Sequence, residues 1–238
     1  MQFLELTLPT IAENVALDEA LLLEAEAHQT GEVLRFWESQ DFAVIMGAGC
    51  KHADEVNEAQ CQADGVPILR RSSGGGSVLL GPGCLCFSLI LSYEGSPLLR
   101  EIPFSNVYIL EKHREVLSDL LPGIERAGTS DLAAAGLKFS GNSQQRKRNF
   151  LLHHGTILYD FDIAHIEQYL RMPSRQPNYR QGRDHNVFVR NLPADVADLK
   201  RRLKAAWAVE SELTDWPASR VRELIEDKYS KLEWTRRR

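Results

Sequence analysis

"RRSSGGGSVLLGPGCLCFSLIL", Arg70 to Leu91, sets three consecutive glycines between an arginine pair and an apolar run that reads as a buried strand. The stretch "VPILRR" (66–71) reads as a strand leading into the glycines, so they sit at a strand-turn-strand junction. A phosphate-binding loop would need Gly-Lys-Ser/Thr after the glycines, and a dinucleotide fold would need GxGxxG; Gly74, Gly76 and Leu79 complete neither. What remains is a bare backbone that a ligand can approach closely, with Arg70 and Arg71 near enough to hold an anionic group. The competing reading is a glycine-rich bulge beside a solvated arginine pair.

Outward from this junction the chain alternates helical and extended patterns. Asn14 to Glu26 spaces Val15, Leu17, Leu21 and Leu22 as an amphipathic helix with Asn14 as its N-cap. "EVLRFW" and "FAVIMG" read as strands joined through "ESQD" in a hairpin. "ADEVNEAQCQADG" reads as a helix closed by Gly65. After the central strand "CLCFSLIL", "FSNVYILEKHREVLSDLL" returns to helical period. "LKFSGNSQQRKRNFLLHHGTILYDFD" has the apolar arms and polar tip of a long hairpin, and "MPSRQPNYRQGRDHN" reads as an irregular loop of the length that often carries function. Two more helical patterns, around 196–208 and 218–232, precede the final "RRR".

The 238 residues suit one domain spanning 1–238, and 43% hydrophobic with 26% charged residues is the balance of a soluble globular protein. No segment approaches the ~18 apolar residues of a membrane span, and "MQFLELTLPT" lacks a signal peptide's basic start and apolar centre, so a cytoplasmic location is expected. The net charge of -5 argues against a protein that coats nucleic acid, and "RKR" at 146–148 reads as hairpin-tip solvation. Four cysteines, Cys50, Cys61, Cys84 and Cys86, form no CxxC pair and read as thiols, mostly buried.

Three positions carry further chemistry. Lys138, in a strand beside Ser140-Gly141-Asn142, can point a compact charge into a pocket or simply into solvent. His153 and His154 are adjacent in a strand and face opposite ways, which argues against a shared metal; one suits the core and the other a pocket, and the residues alone do not say which. No serine sits in a GxSxG elbow, and Cys84 and Cys86 stand in an apolar strand where thiols act as small hydrophobes.

Taken together and in this order, the motifs resemble the lipoate-protein ligase A family, within the wider group of biotin protein ligases and lipoyl or octanoyl transferases. "NVALDEALL" is similar to the family's first helix, "LRFWESQDFAVIMG" to its first strand pair, and "RRSSGGGSV" to its RRxSGGGAV signature. "GTSDLAAAGLKFSGNSQ" resembles the segment carrying the family's lysine, "HHGTIL" the strand after it, and "RNL" and "KYSKLEW" the later segments. The resemblance implies an α/β (α+β) domain with a mixed, largely antiparallel sheet flanked by helices, of the class II synthetase and biotin protein ligase type. It implies that lipoate is activated with ATP and Mg2+ to lipoyl-AMP and passed to a lysine of a lipoyl carrier domain, of 2-oxoacid dehydrogenases or the glycine cleavage H protein. By motif it makes Lys138 the catalytic cation. It places Arg70, Ser73, Gly74, Gly75, Gly76, Ser77, Val78, Gly141, Asn142, His154, Gly155 and Thr156 around the lipoyl group or adenylate. No resident metal is implied.

Departures from the family pattern shape the expected reaction. Leu80 and Gly81 stand where the family often has histidine and aspartate, and "AGCK" stands where it commonly has arginine and glutamine. The chain stops at "KYSKLEWTRRR", about where many ligases begin a small C-terminal accessory domain, so the expectation is either a separate accessory subunit or transfer of an acyl group already activated. Related octanoyltransferases use a cysteine nucleophile placed before the lysine motif or before the histidine-glycine strand; "IERAGTSDLAAAG" and "NFLLHHG" hold none. An adenylate mechanism is therefore favoured over a cysteine transferase, with a non-catalytic lipoyl-binding protein as the third reading.

Overall fold

The computed structural model describes residues 1–173 and 175–237; Ser174, in the arginine-rich loop, and Arg238, the last of the terminal arginines, lie outside the described residues. The chain runs through β1 (Gln2–Glu5), α1 (Ile11–His28), β2 (Val33–Glu38), β3 (Ala43–Met46), α2 (His52–Glu55) and α3 (Glu58–Asp64). Strands β4 (Ile68–Arg70) and β5 (Val78–Leu80) flank the glycines, and β6 (Cys84–Ser92) follows. Then come α4 (Ile102–Leu117), β7 (Ile124–Ala127), β8 (Asp131–Ala134), β9 (Leu137–Arg146) and β10 (Phe150–Leu158). The last elements are α5 (Ala164–Tyr169), α6 (His185–Phe188), α7 (Val196–Ala206), β11 (Ser211–Glu212), α8 (Ala218–Leu224) and α9 (Leu232–Thr235).

Among the described residues, eight strands form one sheet in the order β11-β1-β2-β6-β10-β9-β8-β7, and β4-β3-β5 form a smaller one. Pairing is antiparallel except at β1–β2, β1–β11 and β3–β4, which gives the expected mixed sheet. Strand β6 shows why both faces are covered. Its Cys84, Cys86 and Ile90 enter a core built with α1 and the small sheet, while Leu85, Phe87, Leu89 and Leu91 enter a second core with α4 and α7. No helix among the described residues is long and apolar enough to cross a membrane.

Three local expectations change. The N-cap of α1 is Thr10, which forms a capping box with Glu13; the amide of Asn14 instead bonds Leu8 through both its nitrogen and its oxygen, at 2.9 Å each. Strands β2 and β3 do not form a hairpin, because both edges of β2 are occupied by β1 and β6, and β3 pairs in the other sheet. The helix read over 53–65 divides at Val56, which is extended and bridges Leu170. That break leaves Glu55 facing the glycine loop, where its carboxylate accepts from the N–H and hydroxyl of Ser77 at 2.8 and 2.7 Å.

A buried ion pair fastens α1 to the large sheet. Arg35, fully buried on β2, donates to Asp18 at 2.5 Å, to the Asn14 carbonyl at 2.8 Å and to the Asn14 side chain at 2.7 Å. Removing the carboxylate strands a guanidinium in the core, so Asp18→Ala should cost about 3–5 kcal/mol in urea unfolding, and a loss below about 1 kcal/mol would show that the pair is dispensable.

A second expectation concerns acid. His113 is buried, and burial, with Lys112 beside it, lowers its pKa from 6.5 to about 3. The folded chain therefore keeps this imidazole neutral where the unfolded chain protonates it. Its contribution is complete above about pH 6.5 and is lost as pH falls toward 3, at roughly 1.4 kcal/mol per unit. His113→Gln, whose carbonyl can still accept from the Trp207 indole, should flatten the fall in urea midpoint between pH 6.5 and 4.5; an unchanged slope would refute the assignment.

Candidate active site

The glycine loop is shaped by one buried guanidinium. Arg71 donates through Nε to Ser73 Oγ (3.0 Å), through one Nη to the Ile45 carbonyl (3.1 Å), and through the other to the carbonyls of Gly74 (2.5 Å) and Gly76 (2.9 Å). Burial lowers its pKa to about 10, which leaves it charged at neutral pH. Ser143 Oγ adds a 2.8 Å bond to Gly74 O, and the Cys50 thiol donates to Gly75 O at 3.1 Å. Every carbonyl of the triple glycine is thus held by the protein. Among the described residues the N–H groups of Gly74, Gly75 and Gly76 have no protein partner.

Glycine is required here for contact as well as conformation. Gly75 has φ +84°, and a Cβ on Gly47, the end of "FAVIMG", would stand 2.0 Å from Gly75 O. The loop rests directly on that backbone.

Beside it opens a cavity of about 490 Å3. Gly75, Gly76, Ser77 and Val78 line it from the loop, Lys138, Gly141 and Asn142 from β9, and His154, Gly155 and Thr156 from β10. Arg70, Ser73 and Gly74 do not line it. Successive strand residues face opposite ways, so of the arginine pair it is Arg71 that reaches the cavity. Arg70 is fully buried and bonds the carbonyls of Gly47, Cys50 and Thr235, bracing the loop's floor against α9. Ser73 acts from behind the wall.

Lys138 Nζ pairs with Asp131 Oδ1 at 2.8 Å, and its chain lies over Gly141, where a Cβ would come within 2.6 Å of Nζ. Asp131 Oδ2 accepts the Tyr179 hydroxyl at 2.7 Å. The hairpin β8–β9 brings Asp131 beside Lys138, seven positions away, a spacing legible in "DLAAAGLK" once Gly136 is read as the turn. Tyr179 comes from the arginine-rich loop, and no pattern in the sequence joins it to Asp131.

The two histidines separate cleanly. His153 is fully buried, its Nδ1 accepting from Gln144 Nε2 at 3.1 Å, and burial holds its pKa well below the usual value. His154 faces the cavity. Its Nδ1 lies 3.0 Å from Asp18 Oδ2 and its Nε2 lies 2.6 Å from Ser73 Oγ. Burial alone would raise the pKa of Asp18, but the Arg35 guanidinium and the His154 bond together hold it below the usual carboxylate value. An ionised Asp18 accepts from a protonated Nδ1, which orients the ring with Nε2 against the Ser73 hydroxyl.

Part of the wall is apolar, with Val15, Trp37, Ile45, Leu79, Leu80 and Leu158 among its residues. Leu80 supplies hydrocarbon, and Gly81 has no side chain because a Cβ there would meet the Phe42 ring at 2.4 Å. The cysteine that lines the cavity is Cys86, whose pKa is raised by burial and then by neighbouring Cys84.

A family model described as the lipoyl protein ligase A/B catalytic domain matches residues 10–211. The sequence is 28% identical over 261 aligned positions to an octanoyltransferase of Carboxydothermus hydrogenoformans, covering 94% of this chain and 93% of that protein. It is 32% identical over 163 positions to a probable lipoate-protein ligase A of Mycoplasma genitalium, covering 67% of this chain but only 46% of that protein, so the match spans about half of that relative's length. In fold it is similar to a bi-partite lipoate protein ligase from Thermoplasma acidophilum, with a TM-score of 0.83 at 22% identity, covering 99% of this chain and 95% of that one. The chain belongs to the lipoyl protein ligase A/B catalytic domain family.

Proposed function

We propose that this chain attaches a lipoyl group to a lysine of a lipoyl carrier domain through an acyl-adenylate made from ATP. One observation carries the reading: an ammonium, Lys138 Nζ, shares a cavity with an extended apolar wall and with a glycine loop whose N–H groups have no protein partner. In the first step a carboxylate oxygen of the acid attacks the α-phosphorus, forming the acyl–phosphate bond as the bond to pyrophosphate breaks. In the second, the neutral carrier amine attacks the acyl carbon, the C–N bond forms, AMP leaves with the C–O electron pair, and the amine gives up a proton.

This chain's residues supply binding and charge. The apolar wall takes the alkyl chain and dithiolane at ~0.8 kcal/mol per buried CH2. Lys138, held by Asp131 over Gly141, offsets charge that grows on the carbonyl and phosphate oxygens. The N–H groups of Gly75 and Gly76 offer oriented donors to oxygens of the same ligand. Among the described residues no cluster of three His, Cys, Asp or Glu side chains could hold a metal, so Mg2+ is proposed to arrive on the nucleotide phosphates.

The second reading, cysteine-mediated octanoyl transfer, needs a thiolate at the reacting carbon. All four cysteines are buried, and Cys86 is held protonated. That disfavours it. The fold likeness to a bi-partite ligase described together with its E2 lipoyl domain supports a lipoyl carrier domain as partner and a separate accessory protein.

The test supplies ATP, magnesium, lipoate and an apo carrier domain, with and without a candidate accessory protein, and follows carrier mass. ATP-dependent lipoylation is expected, and Lys138→Ala should slow it about 100-fold or more with an unchanged urea midpoint. Modification from octanoyl-acyl carrier protein without ATP would sink the ligase reading, and no modification under any condition would favour a lipoyl-binding protein. Cys86→Ala should keep transfer within about twofold of the parent, whereas its abolition would point to a covalent thioester.

A further inference from the structure

Arg180 sits in the short turn Asn178–Arg180 of the arginine-rich loop and lines the cavity with only 4% of its surface exposed. Its Nε donates to the Arg183 carbonyl at 2.9 Å, and its plane lies 4.8 Å from the Phe188 ring centroid, so the guanidinium is fixed in orientation. One of its terminal nitrogens is buried without a hydrogen-bond partner, and among the described residues no carboxylate lies within ion-pair distance. Arg171 and Arg175 line the cavity too, but unlike Arg180 neither is buried; the two cations nearest the loop and β9 differ from it in their partners. Arg71 is filled by carbonyls, and Lys138 is paired with Asp131.

A desolvated cation with an unmade bond is costly unless something anionic completes it. The neighbouring residue ties the loop to the reacting end of the cavity, since Tyr179 donates to Asp131, which holds Lys138. The two cations are therefore held in a fixed relation through Tyr179 and Asp131. Under the ligase reading, on which this inference rests, the acid's carboxylate loses its charge when it is activated, whereas a phosphoryl group stays anionic throughout. A permanently charged, fork-shaped donor suits the second.

We infer that Arg180 binds a phosphoryl group of the nucleotide, as the partner of Lys138 across the cavity. The α-phosphate retained in the adenylate and the departing pyrophosphate share this chemistry. Calorimetric titration of AMP, and separately of pyrophosphate, into lipoate-saturated protein distinguishes them. Arg180→Met should weaken at least one about tenfold or more and Arg180→Lys by less, while lipoate affinity without nucleotide stays within about twofold of the parent. Weakened AMP binding puts Arg180 on the retained phosphate; weakened pyrophosphate binding alone puts it on the leaving group. If Arg180→Met loses lipoate binding as well, Arg180→Lys decides. Unchanged affinity for both anions, or a parent chain that binds neither, overturns the assignment. A parent chain that binds them through Arg180 yet makes no lipoyl-AMP from ATP removes the ligase reading and leaves the anion site standing.

Discussion

The site depends on the guanidinium of Arg71 inside the glycine loop. Its donors reach the Ile45, Gly74 and Gly76 carbonyls and Ser73 Oγ, so a single rigid fork fixes strand β3 and the loop in one frame. A lysine could not replace it, because three donors on one point cannot reach acceptors spread along a loop. From Ser73 the chain of bonds continues to His154, then Asp18, then Arg35. A carboxylate held ionised in the core thereby orients a histidine in the cavity wall and, through it, the hydroxyl that receives Arg71. The wall is stiff because helix α1, strand β10 and the loop share that one network.

Much of this frame can be read in the sequence, for reasons of period. Strand β6 declares itself by an apolar run too continuous for a half-exposed strand, and the β9–β10 hairpin by the polar tip "KRN" between two extended arms. The failures have a common cause, which is that pairing partners are not local. Nothing in "LRFWESQDFAVIMG" says that both edges of β2 are already taken, and nothing in "ADEVNEAQ" says that Val56 will bridge Leu170. The helix cap was missed for a different reason. Thr10 and Glu13 carry a capping box, but Asn14 begins the obvious apolar period, and a pattern search stops there.

The same division runs through the site. A motif match names Arg70 and Arg71 together; only the alternation of the strand separates the brace from the residue in the wall. His153 and His154 divide by the same rule, which shows that there is one buried and one cavity-facing histidine but needs the register of β10 against β6 and β9 to say which. Asp131 was legible in principle through the hairpin that joins it to Lys138. Glu55 and Tyr179 were not, because each reaches the site from a segment whose path is fixed only by long-range contacts.

Three of the cations that line the cavity, Arg71, Lys138 and Arg180, form a graded series, and the grading follows from their partners. Arg71 has its bonds met by neutral carbonyls and a hydroxyl, so its charge is spent on shaping backbone. Lys138 is held by one carboxylate while 29% of its side chain remains exposed, so its ammonium can turn from Asp131 to a ligand oxygen. Asp131 then stays satisfied through the Tyr179 hydroxyl. Arg180 has no counter-charge within ion-pair distance among the described residues. Under the proposed two-step reaction this order has a use: one cation stays fixed in the backbone, one can exchange partners as charge develops, and one has a bond left for the ligand to complete.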